Sequence, residues 1–203
     1  MLTSRFTDAF AYALDVHGGM VRKGGGEIPY MAHLMGVTSL VLQYGGTEDE
    51  AIGALLHDAA EDGGGHSRLA DIKARFGPKV ATIVDGCSDS FETPKKPWLE
   101  RKQAYIKRVP SESASVILVS VADKIHNVGA IIADYRTVGD ALWARFNPEA
   151  GKAGTVGYYR GLVRAYRHAP ESPKHLRAVD DLDQLVRELE DLVGIPGVWP
   201  PAK

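Results

Sequence analysis

Apolar residues recur at intervals of three and four positions along most of this chain, which places them on one face of an α-helix. A first helix is predicted from a cap at Thr3 or Ser4 to the vicinity of His17 and the glycines that follow it. Its apolar positions are Phe6, Phe10, Ala13 and Leu14.

The same periodicity predicts further helices between glycine, proline or polar segments. They cover residues 30–44, 47–62, 69–76, 79–87, 98–109, 116–132, 142–146, 156–168 and 182–192. Thr47 and Glu50 have the spacing of a capping box at the start of the third helix. The glycines at 63–65 are expected to end it, and Ser67 to cap the next helix. A glycine-containing break is expected around Gly151 and Gly154.

Residues 116–122 are the one stretch that resembles a strand. Taken alone this apolar run suggests a buried strand, but the pattern continues to Ile132 and its neighbours are helical. We therefore predict one long buried helix and an all-α fold, a single helical bundle of about 8–10 helices. Residues 1–175 are expected to form the functional domain, and residues 176–203 a helix and Pro-rich tail packed on it.

Composition excludes several classes of function. The 24 basic and 26 acidic residues give a net charge of −2, so no basic field favours DNA or RNA as a partner. No apolar run approaches the roughly 20 residues of a membrane span, and the N-terminus lacks a signal-peptide pattern. The single cysteine, Cys87, fits a reducing cytoplasm. It is interpreted as a buried small apolar residue in preference to a nucleophile, because no activating motif surrounds it.

A charged constellation interrupts the apolar third helix. His57 and Asp58 adjoin each other there, and Glu61 and Asp62 follow one helical turn later. Isolated buried charges are too costly to keep unless they are paired or bound to a metal. The doublets are therefore either a solvated helix end or part of a site.

Matching residues elsewhere favour a site. His33 lies on the apolar second helix, where a lone histidine is more often a core residue than a ligand, and Asp123 lies within the long buried helix. Together with His57 and Asp58 they offer two imidazoles and two carboxylates, a ligand set suited to Mn²⁺, Fe or Zn. Such a site leaves positions for water and substrate, as metal-assisted hydrolysis requires, and neighbouring carboxylates can orient or deprotonate that water.

The residues His33, His57-Asp58 and Asp123 match the H…HD…D signature of the HD-domain metal phosphohydrolases. The wider pattern resembles the hydrolase domain of the RelA/SpoT family, and most of all its stand-alone small alarmone hydrolases, called Mesh1-like. The resemblance covers about residues 4–170. The segments that carry it are Arg22-Lys23, 29–33, 54–62 and 122–127, with Phe76-Gly77, 99–102 and 158–159 in the expected order.

The resemblance implies Mn²⁺-dependent removal of the 3′-pyrophosphate from (p)ppGpp, giving GDP or GTP and pyrophosphate. His33, His57, Asp58 and Asp123 would hold one Mn²⁺ ion or another divalent transition metal. Glu61 and Asp62 would be the catalytic pair. Arg22 and Lys23 would flank the guanine and sugar, Asn127 would contact the nucleotide, and Tyr158 would line the ribose side.

RelA/SpoT enzymes pair this domain with a synthetase, for which 203 residues leave no room, so a cytoplasmic hydrolase acting on a small nucleotide is implied. No oligomer is evident. Gly63 stands where the family usually has threonine, and the glycines at 24–26 replace a more varied loop. Both border the predicted pocket and bear on substrate identity. Two alternatives stay open: another nucleotide substrate, such as an adenine alarmone or NADPH, or an inactive nucleotide-binding helical module.

Overall fold

The computed structural model describes residues 1–22, 27–92, 94–169 and 173–201. In these ranges the chain is helical, and extended pairing is limited to one isolated bridge between Val21 and Pro29, which confirms the all-α prediction. Two 3₁₀ segments, Val109–Ser111 and Gly139–Arg145, join helices. The α-helices are α1 (Ser4–His17), α2 (Met31–Gln43), α3 (Glu48–Leu56), α4 (Ala59–Asp62), α5 (Gly65–Phe76), α6 (Pro78–Cys87), α7 (Trp98–Arg108), α8 (Ala114–Val138), α9 (Gly151–Arg167) and α10 (Pro173–Val193).

Helix α8 is the central element, as the long apolar run predicted. It begins at a Ser113 cap, spans 25 residues and packs against α2, α3, α6, α9 and α10. By length and composition the segment Ala114–Arg145 could cross a membrane, but 67% of its apolar window is buried inside the fold. That burial is what the core helix of a globular domain shows. Apolar side chains of α10, such as Leu182 and Val186, share its core.

The prediction for the third helix was correct at its start and wrong at its end. Thr47 and Glu50 form the predicted capping box, with the Thr47 N–H donating to Glu50 at 2.6 Å. The helix stops at Leu56, and His57 and Asp58 form a turn before the short helix α4. Both turn residues keep right-handed helical backbone angles, so the helical spacing of the sequence continues through the turn.

The glycines at 63–65 begin a helix as well as ending one. Gly64 and Gly65 have φ angles of 101° and 53°, a region that glycine tolerates and other residues avoid. The chain thereby reverses at once into α5, four residues earlier than predicted. Ser67 is therefore not the cap; it lies inside α5, and its hydroxyl donates to the Gly64 carbonyl at 2.8 Å.

The predicted break near Gly151 and Gly154 lies slightly earlier, at residues 146–150, because α9 begins at Gly151 and runs through Gly154. Further along α9, Gly157 and Gly161 form a notch for the C-terminal tail. A Cβ at position 157 would lie 2.2 Å from the Val198 carbonyl oxygen, and one at position 161 would lie 2.7 Å from the Trp199 ring. The missing side chains therefore let the tail pack directly on the helix.

Helix α1 has the predicted bounds, and Phe6, Phe10 and Ala13 pack on the core as predicted, but Leu14 does not. Leu14 was expected inside and is 50% exposed, while Tyr12 is buried. The Tyr12 ring packs edge-on against Phe76, and its hydroxyl donates to Asp71 at 2.7 Å. This contact with α5 fixes the rotation of α1.

Candidate metal and nucleotide site

Four polar side chains from α2, the 57–58 turn and α8 converge in one place. The Nε2 atom of His33 lies 3.7 Å from Asp58 Oδ2 and 3.3 Å from Asp123 Oδ1. The Nε2 atom of His57 lies 3.1 Å and 3.7 Å from the same two oxygens. The structure therefore brings together the four residues that the sequence suggested as metal ligands, which we call the cluster.

In both cluster histidines, the Nδ1 atom, which faces away from the carboxylates, is hydrogen-bonded. His57 Nδ1 lies 2.8 Å from the Ala54 carbonyl oxygen, so Nδ1 carries the proton and donates it. His33 Nδ1 lies 3.0 Å from His126 Nδ1. Gly36 leaves room for the His126 ring, since a Cβ at position 36 would lie 2.3 Å from it. Histidines that bind metals are oriented by contacts of this kind.

The cluster carboxylates are oriented in the same way. The Tyr30 hydroxyl donates to Asp58 Oδ2 at 2.5 Å. The Asn127 amide donates to Asp123 Oδ1 at 2.5 Å, and the Lys124 ammonium donates to Asp123 Oδ2. Each carboxylate therefore has a fixed direction before any ion arrives.

The donor atoms fit a divalent metal ion. With Nδ1 engaged, His57 Nε2 is buried and faces Asp58 Oδ2 at 3.1 Å, without hydrogen-bond geometry to any atom in the described part of the chain. The ligand atoms of His33, His57 and Asp58 lie within 4.8 Å of one another. Adjacent ligands of an octahedral ion with bonds of about 2.1 Å lie roughly 3 Å apart, close to the separations seen here. An ion between them would bind His57 Nε2 and the carboxylates together, in place of the direct contact between His57 and Asp58.

Burial and the neighbouring charges shift the pKa values in this cluster. Burial alone would lower the pKa of His57, but Asp58 and Asp123 raise it well above its usual value. Burial opposes ionisation of Asp123, yet the Lys124 ammonium and the two histidines hold its pKa well below the usual range. Asp58 likewise has a lowered pKa, against burial, because of His57. Both carboxylates are therefore ionised at neutral pH, as metal ligands must be.

The carboxylates of Glu61 and Asp62 follow on α4. Glu61 is held at both oxygens: Lys95 donates to Oε1 at 2.7 Å, and the Asp89 backbone N–H donates to Oε2 at 3.1 Å. Asp62 Oδ2 lies 3.8 Å from Nε2 of the buried His17, whose ring stacks on Tyr30. Both carboxylates line the same cavity as the cluster.

That cavity has a volume of about 500 Å³ and contains three of the four residues suggested for substrate contact. Arg22 donates to the Asn127 side-chain oxygen at 2.9 Å, so these two form one unit. The Tyr158 ring packs edge-on against Trp98 and Trp199 and has the Lys102 ammonium 5.1 Å from its centre. Lys23, the fourth, and the glycines at 24–26 lie outside the described residues.

Sequence reasoning missed several groups that shape this cavity. Tyr30 and Lys124 stand inside the motifs, beside His33 and Asp123, and that proximity was the available signal. Asp89, which lines the cavity, and Trp199, which packs behind Trp98 and Tyr158, offered no signal, because their partners lie far away in sequence. Cys87 is half-buried in the cavity wall, and burial raises the pKa of its thiol, which argues against a nucleophile.

Comparison with known proteins places this geometry in a family. A family model described as an HD domain matches residues 9–155. The chain belongs to the HD-domain family. Hydrolases with an HD domain depend on a metal ion, and this HD domain carries a cluster able to hold one.

Relatives cover most of this HD domain. It is 27% identical over 175 residues to the human guanosine-3′,5′-bis(diphosphate) 3′-pyrophosphohydrolase MESH1, an alignment that spans 85% of this chain and 93% of the relative. It is 33% identical over 123 residues to MESH1 of Xenopus tropicalis, spanning 60% of this chain and 66% of that relative. A solved structure described as a metazoan ortholog of SpoT that hydrolyzes ppGpp shares the fold, with a TM-score of 0.72 and 23% identity over 93% of this chain and 97% of the other.

Proposed function

We propose that this HD domain is a guanosine-3′,5′-bis(diphosphate) 3′-pyrophosphohydrolase, which converts (p)ppGpp to GDP or GTP and pyrophosphate. The observation that carries the proposal is the cluster of His33, His57, Asp58 and Asp123, all but His57 of which line a cavity that carboxylates and cations also line. The MESH1 relatives, which are named for this reaction, support the same substrate. An intracellular nucleotide as substrate implies a cytoplasmic enzyme.

The proposal assigns the four cluster residues as the ligands of one Mn²⁺ ion. Two imidazole nitrogens and two carboxylate oxygens suit an ion of this class. A divalent ion bound there would make water more acidic and neutralise charge on phosphate oxygens. Tyr30, Asn127 and Lys124 serve to hold the carboxylates in place for it.

Glu61 and Asp62 are assigned as the catalytic pair. Because Lys95 and the Asp89 N–H each hold one oxygen of Glu61, its carboxylate has a fixed orientation, and an oriented carboxylate can position a water and accept its proton. Asp62 lies beside it on the same short helix and lines the same cavity. Residues 1–175 make up the catalytic domain in this proposal, although the structure runs α10 across that boundary, from Pro173 to Val193, and packs it on α8 and α9.

The nucleotide is assigned to the part of the cavity around Arg22, Asn127 and Tyr158, and Lys23, which lies outside the described residues, keeps its predicted role from the sequence alone. The Arg22–Asn127 hydrogen bond holds a planar guanidinium at the cavity wall, and such a group stacks well on an aromatic base. Tyr158 offers an aromatic wall on the ribose side. These assignments leave the phosphate groups to the cluster and to the cavity's other cations.

The test is pyrophosphate release from ppGpp by the metal-stripped protein, with and without added Mn²⁺. We expect release that depends on Mn²⁺. A Glu61→Gln variant should still bind Mn²⁺ and should release pyrophosphate more slowly by a factor on the order of 10². No release by protein shown to contain Mn²⁺ would overturn the proposal, and unchanged release by Glu61→Gln would remove Glu61 from the catalytic pair.

A further inference from the structure

Two cations at the start of α7 are fixed in the cavity wall by one buried carboxylate. Arg101 Nη1 donates to Asp89 Oδ2 at 2.5 Å, and Lys102 Nζ donates to the same oxygen at 2.6 Å. The Asp89 side chain is only 5% exposed, while those of Arg101 and Lys102 are 14% and 21% exposed. The carboxylate is thus inside the wall, and the cations reach the cavity surface.

This arrangement leaves a positive charge at the wall. One carboxylate cannot neutralise two cations, and the pKa of Asp89 is lowered to about 2 against the effect of burial, chiefly by Lys102. The bonds described for Lys102 use one of its three ammonium protons, and Arg101 uses Nε for the Lys96 carbonyl and Nη1 for Asp89. To balance the charge of Asp89, one cation would be enough. The second cation adds an excess positive charge, and both line the cavity.

The pair is connected to the catalytic carboxylate through Asp89. The Asp89 backbone N–H donates to Glu61, and Glu61 follows the cluster residue Asp58 by three positions, about one helical turn. Lys102 also makes a cation–π contact, because its ammonium lies 5.1 Å from the centre of the Tyr158 ring. The cations are therefore held beside Glu61 and Tyr158 in the cavity wall.

We propose that Arg101 and Lys102 form a phosphate subsite, which binds the outer phosphate of the substrate's 3′-pyrophosphoryl group. The inference rests on the proposed function and adds what the cluster alone does not supply, a reason to prefer a pyrophosphoryl group over a single phosphate. The phosphate attacked lies at the cluster, and the second phosphate needs fixed cationic donors beside Glu61. Arginine and lysine are the side chains that bind phosphate best.

The test measures binding of inorganic pyrophosphate and of GDP, in separate arms, to the metal-loaded protein by isothermal titration calorimetry. For Lys102→Met we expect pyrophosphate affinity to fall roughly 10- to 100-fold, the range for a hydrogen bond to a charged group, with a much smaller fall in GDP affinity, because the ammonium also contacts the Tyr158 ring. The matched control is Lys107→Met, which removes an exposed lysine from the same helix and should leave both affinities unchanged. Arg101→Met carries the same expectation and keeps Asp89 paired with Lys102, should Lys102→Met fail to fold.

Unchanged pyrophosphate affinity in both folded variants would overturn the subsite. A loss confined to GDP would also overturn it, because it would place the cations at the 5′-diphosphate instead. Equal losses for both ligands would overturn it as well, since they would report a general effect of charge. Pyrophosphate release from ppGpp by the unmodified protein is measured in parallel: its absence would contradict the proposed function, whereas release with unaltered pyrophosphate binding in the variants would contradict only the subsite.

Discussion

The cavity has a cluster side and a cation side, the latter formed by Lys95, Arg101 and Lys102. The two sides are built from different parts of the chain. His33, His57 and Asp123 are buried and come from helices or the turn that directly follows one, with second hydrogen bonds that fix each of them. Lys95 comes from the loop before α7 and is 41% exposed, and Lys102 is 21% exposed at the start of that helix. A buried polar group that loses its partner costs much more than an exposed one, which water can satisfy. Substitutions should therefore have larger effects at the cluster than on the cation side.

The largest effect is expected for Asp123→Asn. The substitution keeps the side-chain shape and removes the charge that a metal requires, so Mn²⁺ affinity should fall by more than about 100-fold, beyond what loss of a supporting contact costs. Thermal stability should also fall, because the buried Lys124 loses its anionic partner. Bound metal is measured by mass spectrometry after dialysis, and unfolding by circular dichroism. Asp134→Asn, a half-exposed carboxylate lining the same cavity, is the control. Full metal content in Asp123→Asn would remove that residue from the cluster.

A smaller effect is expected for Tyr30→Phe, which removes only the hydroxyl that donates to Asp58. Loss of a contact that orients a metal ligand lowers metal affinity by roughly 10- to 100-fold. The measurement is Mn²⁺ titration by calorimetry. Tyr135→Phe serves as the matched control, because that hydroxyl bonds to Asp140 on the surface. If both variants bound Mn²⁺ equally well, the cluster would hold its ion without help from Tyr30.

The smallest effect is expected for Trp199→Ala, which tests the wall behind the nucleotide. Trp199 packs on Trp98 and Tyr158 from outside the cavity, so its loss should loosen both rings without touching the cluster. We expect KM for ppGpp to rise roughly two- to tenfold, the value of an aromatic contact, with kcat nearly unchanged. Val198→Ala, an exposed neighbour in the same tail, controls for a change in the tail itself. A fall in kcat at constant KM would instead connect the tail to the catalytic residues.

The sequence predicted the elements whose cause is local. The buried helix α8 follows from one long apolar run, and the capping box at Thr47 from two residues three positions apart. The turn at His57 and Asp58 was missed because its backbone angles remain helical, so the periodicity of side chains does not change there. The early start of α5 depends on the positive φ angles of Gly64 and Gly65, which the sequence permits and does not require.

The residues of the site also fall into those that the local sequence indicates and those that only the fold brings together. His33, His57, Asp58 and Asp123 could be suggested from residue type, because carboxylates and imidazoles on apolar helices need a reason to be there. Asp89 gave no such signal, since a polar loop is an ordinary place for an aspartate, and only the fold brings it to Arg101 and Lys102. Trp199 was equally hidden, because its partners are set by the glycine notch in α9 and lie far away in sequence.

Gly36 and His126 have an evolutionary consequence. An imidazole at position 126 and a methyl group at position 36 cannot occupy the same space in this packing, since their atoms would lie 2.3 Å apart. A lineage that acquires alanine at position 36 must therefore first shorten residue 126 or move it aside, and in doing so gives up the contact with His33. The two positions are therefore expected to change as a pair among descendants.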